Sequence, residues 1–186
     1  MKIYFDGCSF AWGSELQPNH KEQRYSKLIC NHFGAEETNC SSRGGSNDRI
    51  VRNLLVENDI EEYDLAIIQM TFPVRTEYWD EKKNRWIKVK PKGEKVDHGD
   101  HWMYHYKYIH NEYYSYVKEN IQSQTIRNHC KAHNVPVILL TINPWSKVNF
   151  DYIVKLNDKT RVRGHPNKLG HQIIANDLLK YYENLL

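Results

Sequence analysis

Two uninterrupted apolar runs, "DLAIIQM" at 64–70 and "VPVILLTI" at 135–142, constrain this chain more than any other feature. Both have strand length and neither alternates, so neither suits a sheet with one wet face. Strands apolar on both sides are what a parallel sheet covered by helices requires. "KIYFDG" reads as a further strand at the N-terminus, and "AEETNCS" as a short one. Helical patterns fall between them. "QRYSKLICNHFG" places Tyr25, Leu28, Ile29 and Phe33 on one face, with Gly34 where a C-cap belongs. "SNDRIVRNLLVEN" has Ser46 or Asn47 as N-cap and Ile50, Leu54 and Leu55 along one face. The stretch 111–134 is long enough for a crossover helix, and "NKLGHQIIANDLLKYYENLL" closes the chain as an amphipathic one. The expected fold class is α/β: a three-layer α/β/α sandwich around a parallel, flavodoxin-like sheet.

The 186 residues suit one domain, 1–186, with a real core and little room for a second. An insert at about 72–111 interrupts the alternation after the third strand. Within it "RTEYWDEKKNRWIKVK" reads as a β-hairpin around "EKKN", and "KGEKVDHGDH" as a polar stretch. Connections this long usually form a lid or one wall of a site. Of the 13 Tyr, 5 Trp and 10 His, many crowd between Tyr78 and Tyr116, which suggests a specialised surface.

The net charge of +3 implies no general polyelectrolyte attraction, so nucleic acid is not an expected partner of the whole chain. The hairpin interleaves Lys82, Lys83, Arg85, Lys88, Lys90 and Lys92 with Trp79 and Trp86, a pattern that can bind single strands or sugars. A solvated hairpin with its aromatics packed down is the preferred reading. No signal peptide and no apolar run of membrane-spanning length is recognisable. The four cysteines form no CxxC pair and read as free thiols, so the expected compartment is the cytoplasm. "DHGDHWMYHYKYIH" gathers His98, His101 and His105 with Asp97 and Asp100, but carries no metal-site signature, so no metal and no cofactor are expected.

Ligands of open α/β sheets bind beyond the carboxyl ends of the strands. Ser9, in "KIYFDGCSFAWGSEL", lies just past the first strand, and His165, in "GHPNKLGH", lies just before the last helix. Pro166 falls at or near the first turn of that helix. The topology brings both loops to one end of the sheet, where His165 can take the proton of Ser9. Cys8 is a rival nucleophile, but adjacent residues do not easily both face a site, and a small buried residue is the simpler reading. His171 reads as structural or exposed.

"FDGCSFAWG", "SSRGGSNDRI" and "GHPNKLGH" occur in order and together resemble blocks of the SGNH (GDSL-type) hydrolases, in particular small divergent bacterial and bacteriophage members. That resemblance implies a serine esterase or acylhydrolase with Ser9 as nucleophile and His165 as base. It implies an oxyanion hole from the N–H groups of Ser9 and Gly44, with Gly45 adjacent. Two departures stand out. Where the family carries an acid before its histidine, this chain has Val162 and Arg163, leaving a Ser-His dyad unless Asp158 or another carboxylate substitutes. Where the family offers an asparagine after strand three, this chain reads "QMTFPVR", so Asn47, Thr71 or Gln69 is the candidate donor. Arg75 favours an anionic or phosphate-bearing substrate.

The expected substrate is a short acyl ester, such as acetyl on a carbohydrate or small metabolite, with Arg75, Trp79 and Trp102 as substrate-binding residues. The alternative is a catalytically weakened protein of the same fold that binds glycan, nucleic acid or protein through the insert.

Overall fold

The computed structural model describes residues 1–16, 18–89, 102 and 104–184. Five parallel strands form the central sheet: β1 (Lys2–Asp6), β2 (Glu36–Asn39), β3 (Leu65–Met70), β6 (Val137–Thr141) and β7 (Tyr152–Ile153). Their order is β2-β1-β3-β6-β7, the flavodoxin-like winding, with its switch point between β1 and β3. β3 is buried at all six positions, as its unbroken apolar run requires. The two-residue β7 carries too little pattern to be read from sequence.

Helices cover both faces. On one side α3 (Tyr25–Phe33) and the last helix, α6 (Lys168–Glu183), pack Ile29, Ile174 and Leu178 against Ile3, Phe5, Ile67 and Leu140. On the other, α4 (Asn47–Arg52) and the long α5 (Glu112–Ala132) pack Ile50 and Ile126 against Tyr4, Ala66, Ile68 and Leu139. The alternation of strand side chains between two helix layers is what makes the sandwich. α1 (Ser9–Trp12) and α2 (His20–Gln23) are single turns between β1 and α3.

Chain punctuation agrees with local chemistry. Gly34 ends α3 at φ 61°, and the Ser46 hydroxyl caps α4 by accepting from the Arg49 N–H. α4 then widens into a π-turn over Asn53–Glu57. The last helix begins later than its proline suggests. Pro166 closes a two-residue strand, β9 (His165–Pro166), and the side chain of Asn167 caps the helix by accepting from Gly170 N. Gly170 lets that helix pass close to the turn at Asp158–Thr160, since a Cβ there would collide with the Thr160 carbonyl oxygen.

The insert contains the expected hairpin, β4 (Thr76–Asp80) and β5 (Arg85–Val89), with Trp79 opposite Trp86. Tyr106 ties a π-turn at His105–Ile109 to the loop after β3 by donating to the Val74 carbonyl. His98, His101, Asp97 and Asp100 lie outside the described residues. Among the described residues no cluster of three or more His, Cys, Asp or Glu could hold a metal, and no helix is long and apolar enough to cross a membrane.

Candidate active site

Ser9 opens α1 immediately beyond β1, beside the switch point of the sheet. The turn that presents it depends on two small-scale constraints. Gly7 admits no side chain, because a Cβ would meet Ala11 Cβ at 2.8 Å and Gln69 Cβ at 3.0 Å. Gln69, fully buried on β3, reaches across to accept from the Ala11 N–H at 3.2 Å, so it satisfies one of the orphan donors of α1. Cys8 offers no capping oxygen and points inward, its thiol against the Gln69 amide. The thiol is therefore core, and the hydroxyl beside it faces the cleft.

His165 arrives on a second tight device. β8 (Arg161–Val162) and β9 pair antiparallel around Arg163 and Gly164, which take φ of 48° and 80°. Positive φ at both central residues is the signature of a type I′ hairpin. This hairpin sets His165 Nε2 2.9 Å from Ser9 Oγ. The other ring nitrogen, Nδ1, lies 3.2 Å from the Arg163 carbonyl oxygen, which accepts only and so selects the Nδ1–H tautomer. Nε2 is then unprotonated and faces the serine hydroxyl, as a general base must. Phe10 packs against the imidazole, with ring centroids 5.5 Å apart.

The sequence does not identify the carboxylate of this site. Glu15 Oε1 lies 3.7 Å from His165 Nδ1. Its placement follows from Gly13, which ends α1 at φ 84° and turns the chain back, with the N–H groups of Gly13 and Ser14 both donating to the Ser9 carbonyl. No spacing rule marks Glu15 in advance; only the αL glycine in "SFAWGSE" hints that the chain reverses there. Asp158 makes no ion pair with His165 among the described residues; it sits in the turn that packs on α6.

The cleft over Ser9 and His165 has a volume of about 810 Å³. Besides that pair, its lining includes Glu15, Gly44, Arg43, Arg75 and Arg163. Three guanidinium groups thus face one carboxylate. Arg43 is steadied over the Trp12 ring, 4.0 Å from its centroid, and Arg75 donates to Thr71 Oγ1 at 2.8 Å. Gly44 lies against the cleft with φ 66°.

The remaining sequence candidates fall elsewhere. Asn47 and Thr71 are fully buried and clasp each other: the Asn47 amide donates to Thr71 O at 3.0 Å and accepts from Thr71 N at 2.8 Å. Neither lines the cleft. Trp79 meets its cross-strand partner Trp86 edge to face, and Trp102 stacks on Tyr78; neither tryptophan lines the cleft. His171 is fully buried, accepts from the Tyr25 N–H through Nδ1, and is pushed down to about 3 by burial. It is a neutral core histidine.

Below the site Asp6 is fully buried and surrounded by donors: Arg49 at 2.9 Å, Asn53 at 2.9 Å and the Gly7 N–H at 2.6 Å. Burial raises its pKa and the Arg49 charge opposes that rise. Arg49 also donates to the Cys40 carbonyl, so one ion pair knits β1, α4 and the loop after β2 under the serine.

No protein-family model and no curated protein matches the chain. Solved structures do. The esterase EstA from Pseudoalteromonas sp. superposes with a TM-score of 0.60 at 11% identity, over 99% of this chain and 97% of that one. A catalytic mutant of Axe2, an acetylxylan esterase from Geobacillus stearothermophilus, gives 0.60 at 13% identity, over 97% and 93%. A carbohydrate esterase described as having divergent catalytic and non-catalytic binding functions gives 0.63 at 10% identity, over 98% of this chain but 64% of its own. The chain therefore has the fold of these esterases.

Proposed function

We propose that residues 1–186 form one serine hydrolase domain that cleaves a short acyl ester, such as acetyl, from a carbohydrate or small metabolite. The observation that carries this reading is the 2.9 Å contact between Ser9 Oγ and His165 Nε2, with Nδ1 turned to the Arg163 carbonyl. His165 takes the Ser9 proton as Oγ attacks the acyl carbonyl carbon. The N–H groups of Ser9 and Gly44 receive the developing oxyanion. The tetrahedral adduct collapses, and the departing alkoxide takes the proton from His165. Water, losing a proton to His165, then attacks the acyl-serine; collapse releases the acid and restores Ser9 Oγ–H. No step calls for a cofactor.

Glu15 supplies the charge that the missing acid before His165 would have supplied. Asn47 and Thr71 are assigned to holding the loop after β3, because their polar atoms are spent on each other and on Arg75. Arg75, with Arg43 and Arg163, favours an ester that carries negative charge near its scissile bond. The free state of all four cysteines supports a cytoplasmic setting, and the sequence blocks suit a small divergent member of the bacterial and bacteriophage type.

A fluorophosphonate probe tests the reading. Wild-type protein gains the mass of one adduct, and both Ser9→Ala and His165→Ala lose it. Absence of labelling in folded wild-type protein would favour the second reading, a binding protein of this fold with weakened catalysis. The observation behind that alternative is the replacement of the expected acid by Val162 and Arg163.

A further inference from the structure

A second pocket, of about 250 Å³, opens at the same end of the sheet between the loops that follow β3 and β6. Pro73 forms one side of it; Asn143, Trp145 and Ser146 form the other, and Glu119 and Tyr116 of α5 line it as well. Trp145 is 80% exposed, the highest value among the described large apolar residues, so it makes almost no packing contribution to the fold. Glu119 is the opposite case. Its residue is only 2% exposed, Ser146 Oγ donates to Oε2 at 2.7 Å, and Oε1 has no hydrogen-bond partner among the described residues. A buried carboxyl oxygen without a partner is costly, and its presence in a pocket wall calls for an explanation.

We propose that this pocket is a binding subsite for one neutral sugar ring, with Trp145 as its stacking face and Glu119 as its hydroxyl-reading group. A pyranose offers an apolar face of C–H bonds and a rim of hydroxyls. The first suits an exposed indole, and the second suits a carboxyl, an amide and a hydroxyl set side by side. The volume falls just under the roughly 300–1,000 Å³ of drug-sized ligand sites, which fits one ring and excludes a folded chain of them.

An organic cation would also suit an indole face, and Glu112 lines the pocket with Glu119, but two features weigh against one. Burial raises the pKa of Glu119, with Ser146 and Asn143 pulling it back, and Lys147 lines the same pocket. The site also lies where a glycan could use it. β1, β3 and β6 are adjacent in the sheet, so the loops bearing Ser9 and Trp145 start about 10 Å apart. Pro73 and Arg75, two residues apart on one turn, face this pocket and the Ser9 cleft respectively. The inference stands apart from hydrolysis, since it concerns binding alone.

Calorimetric titration of the full chain with xylohexaose and cellohexaose tests it, with tetramethylammonium chloride as the cationic comparison. Saturable binding of at least one hexaose is expected. Trp145→Ala weakens it by about tenfold or more, and Glu119→Gln weakens it less. The exposed position of Trp145 makes its replacement harmless to folding, which a melting curve confirms. No saturable binding of either sugar, or binding undiminished in Trp145→Ala, overturns the proposal. Tetramethylammonium binding that neither sugar displaces would overturn it too, in favour of a cation cage.

Discussion

Glu15 Oε1 stands 3.7 Å from His165 Nδ1 and reaches it from the same short segment that carries Ser9. The two positions before His165 that would hold an acid instead hold Val162 and Arg163, and both line the cleft. The carboxylate nearest the imidazole therefore comes from the Ser9 side of the cleft. At 3.7 Å it lies beyond ordinary hydrogen-bond length, so its effect on the imidazolium is one of charge, with orientation left to the Arg163 carbonyl. Glu15→Gln should then lower kcat by about 10- to 100-fold with KM and melting temperature nearly unchanged, less than the 10⁴ lost when a triad aspartate that also orients is replaced. Steady-state kinetics on an acetyl ester decide it; an unchanged kcat would remove Glu15 from the site.

Asn47 separates two roles cleanly. As a clasp on the Thr71 peptide groups, its loss leaves a buried N–H and C=O without partners, at about 1–3 kcal/mol each. Asn47→Ala should therefore reduce stability by a few kcal/mol in denaturant unfolding. Were the residue an oxyanion donor, kcat would fall with stability intact.

Gly164 holds φ 80°, and nothing lies within 4 Å of where its Cβ would be. Gly164→Ala consequently introduces backbone strain without a clash, worth about 1–2 kcal/mol for a residue forced left-handed. The hairpin relieves that strain by shifting, and His165 moves with it. Fluorophosphonate labelling should slow markedly while the melting temperature drops only slightly. A fully active variant would show that the turn does not set the histidine.

His171 makes stability depend on acid. Its pKa is about 3 in the folded protein and near 6.5 in an unfolded chain, so between those values the unfolded state binds the extra proton. Stability must fall as pH falls from 6.5 towards 3, by at most about 1.4 kcal/mol per unit from this group. At pH 5 the loss is about 2 kcal/mol relative to pH 7.5. Urea unfolding at the two pH values, beside His171→Gln, measures it; the variant should show a smaller difference.

The fold is legible in the sequence because each central strand states its burial on both faces. "DLAIIQM" and "VPVILLTI" allow little else, and Gly34 and Ser46 mark helix ends by their own chemistry. β7 is not legible, since Tyr152 and Ile153 are too few to show a period. Within the site, Ser9, Gly44 and His165 stand in recognisable local patterns. Glu15 does not: its contact with His165 depends on where a turn of 150 residues later comes to rest. Trp79 and Trp102 fail for a related reason. Composition marks them as unusual, yet the ring contacts of both lie within the insert, and Trp79 is left 44% exposed.

The hydrogen bonds that close Gly13 and Ser14 onto the Ser9 carbonyl make residues 9–15 one mechanical unit. Three of the four groups around the imidazole, Ser9 Oγ, the Phe10 ring and Glu15 Oε1, ride on it, and the fourth, the Arg163 carbonyl, travels with the hairpin. Misalignment of the site thus has a single coordinate, the travel of that hairpin relative to the unit. A substrate or neighbour that pushes on Arg163 would move the imidazole away from those three groups together, and release would restore all three at once.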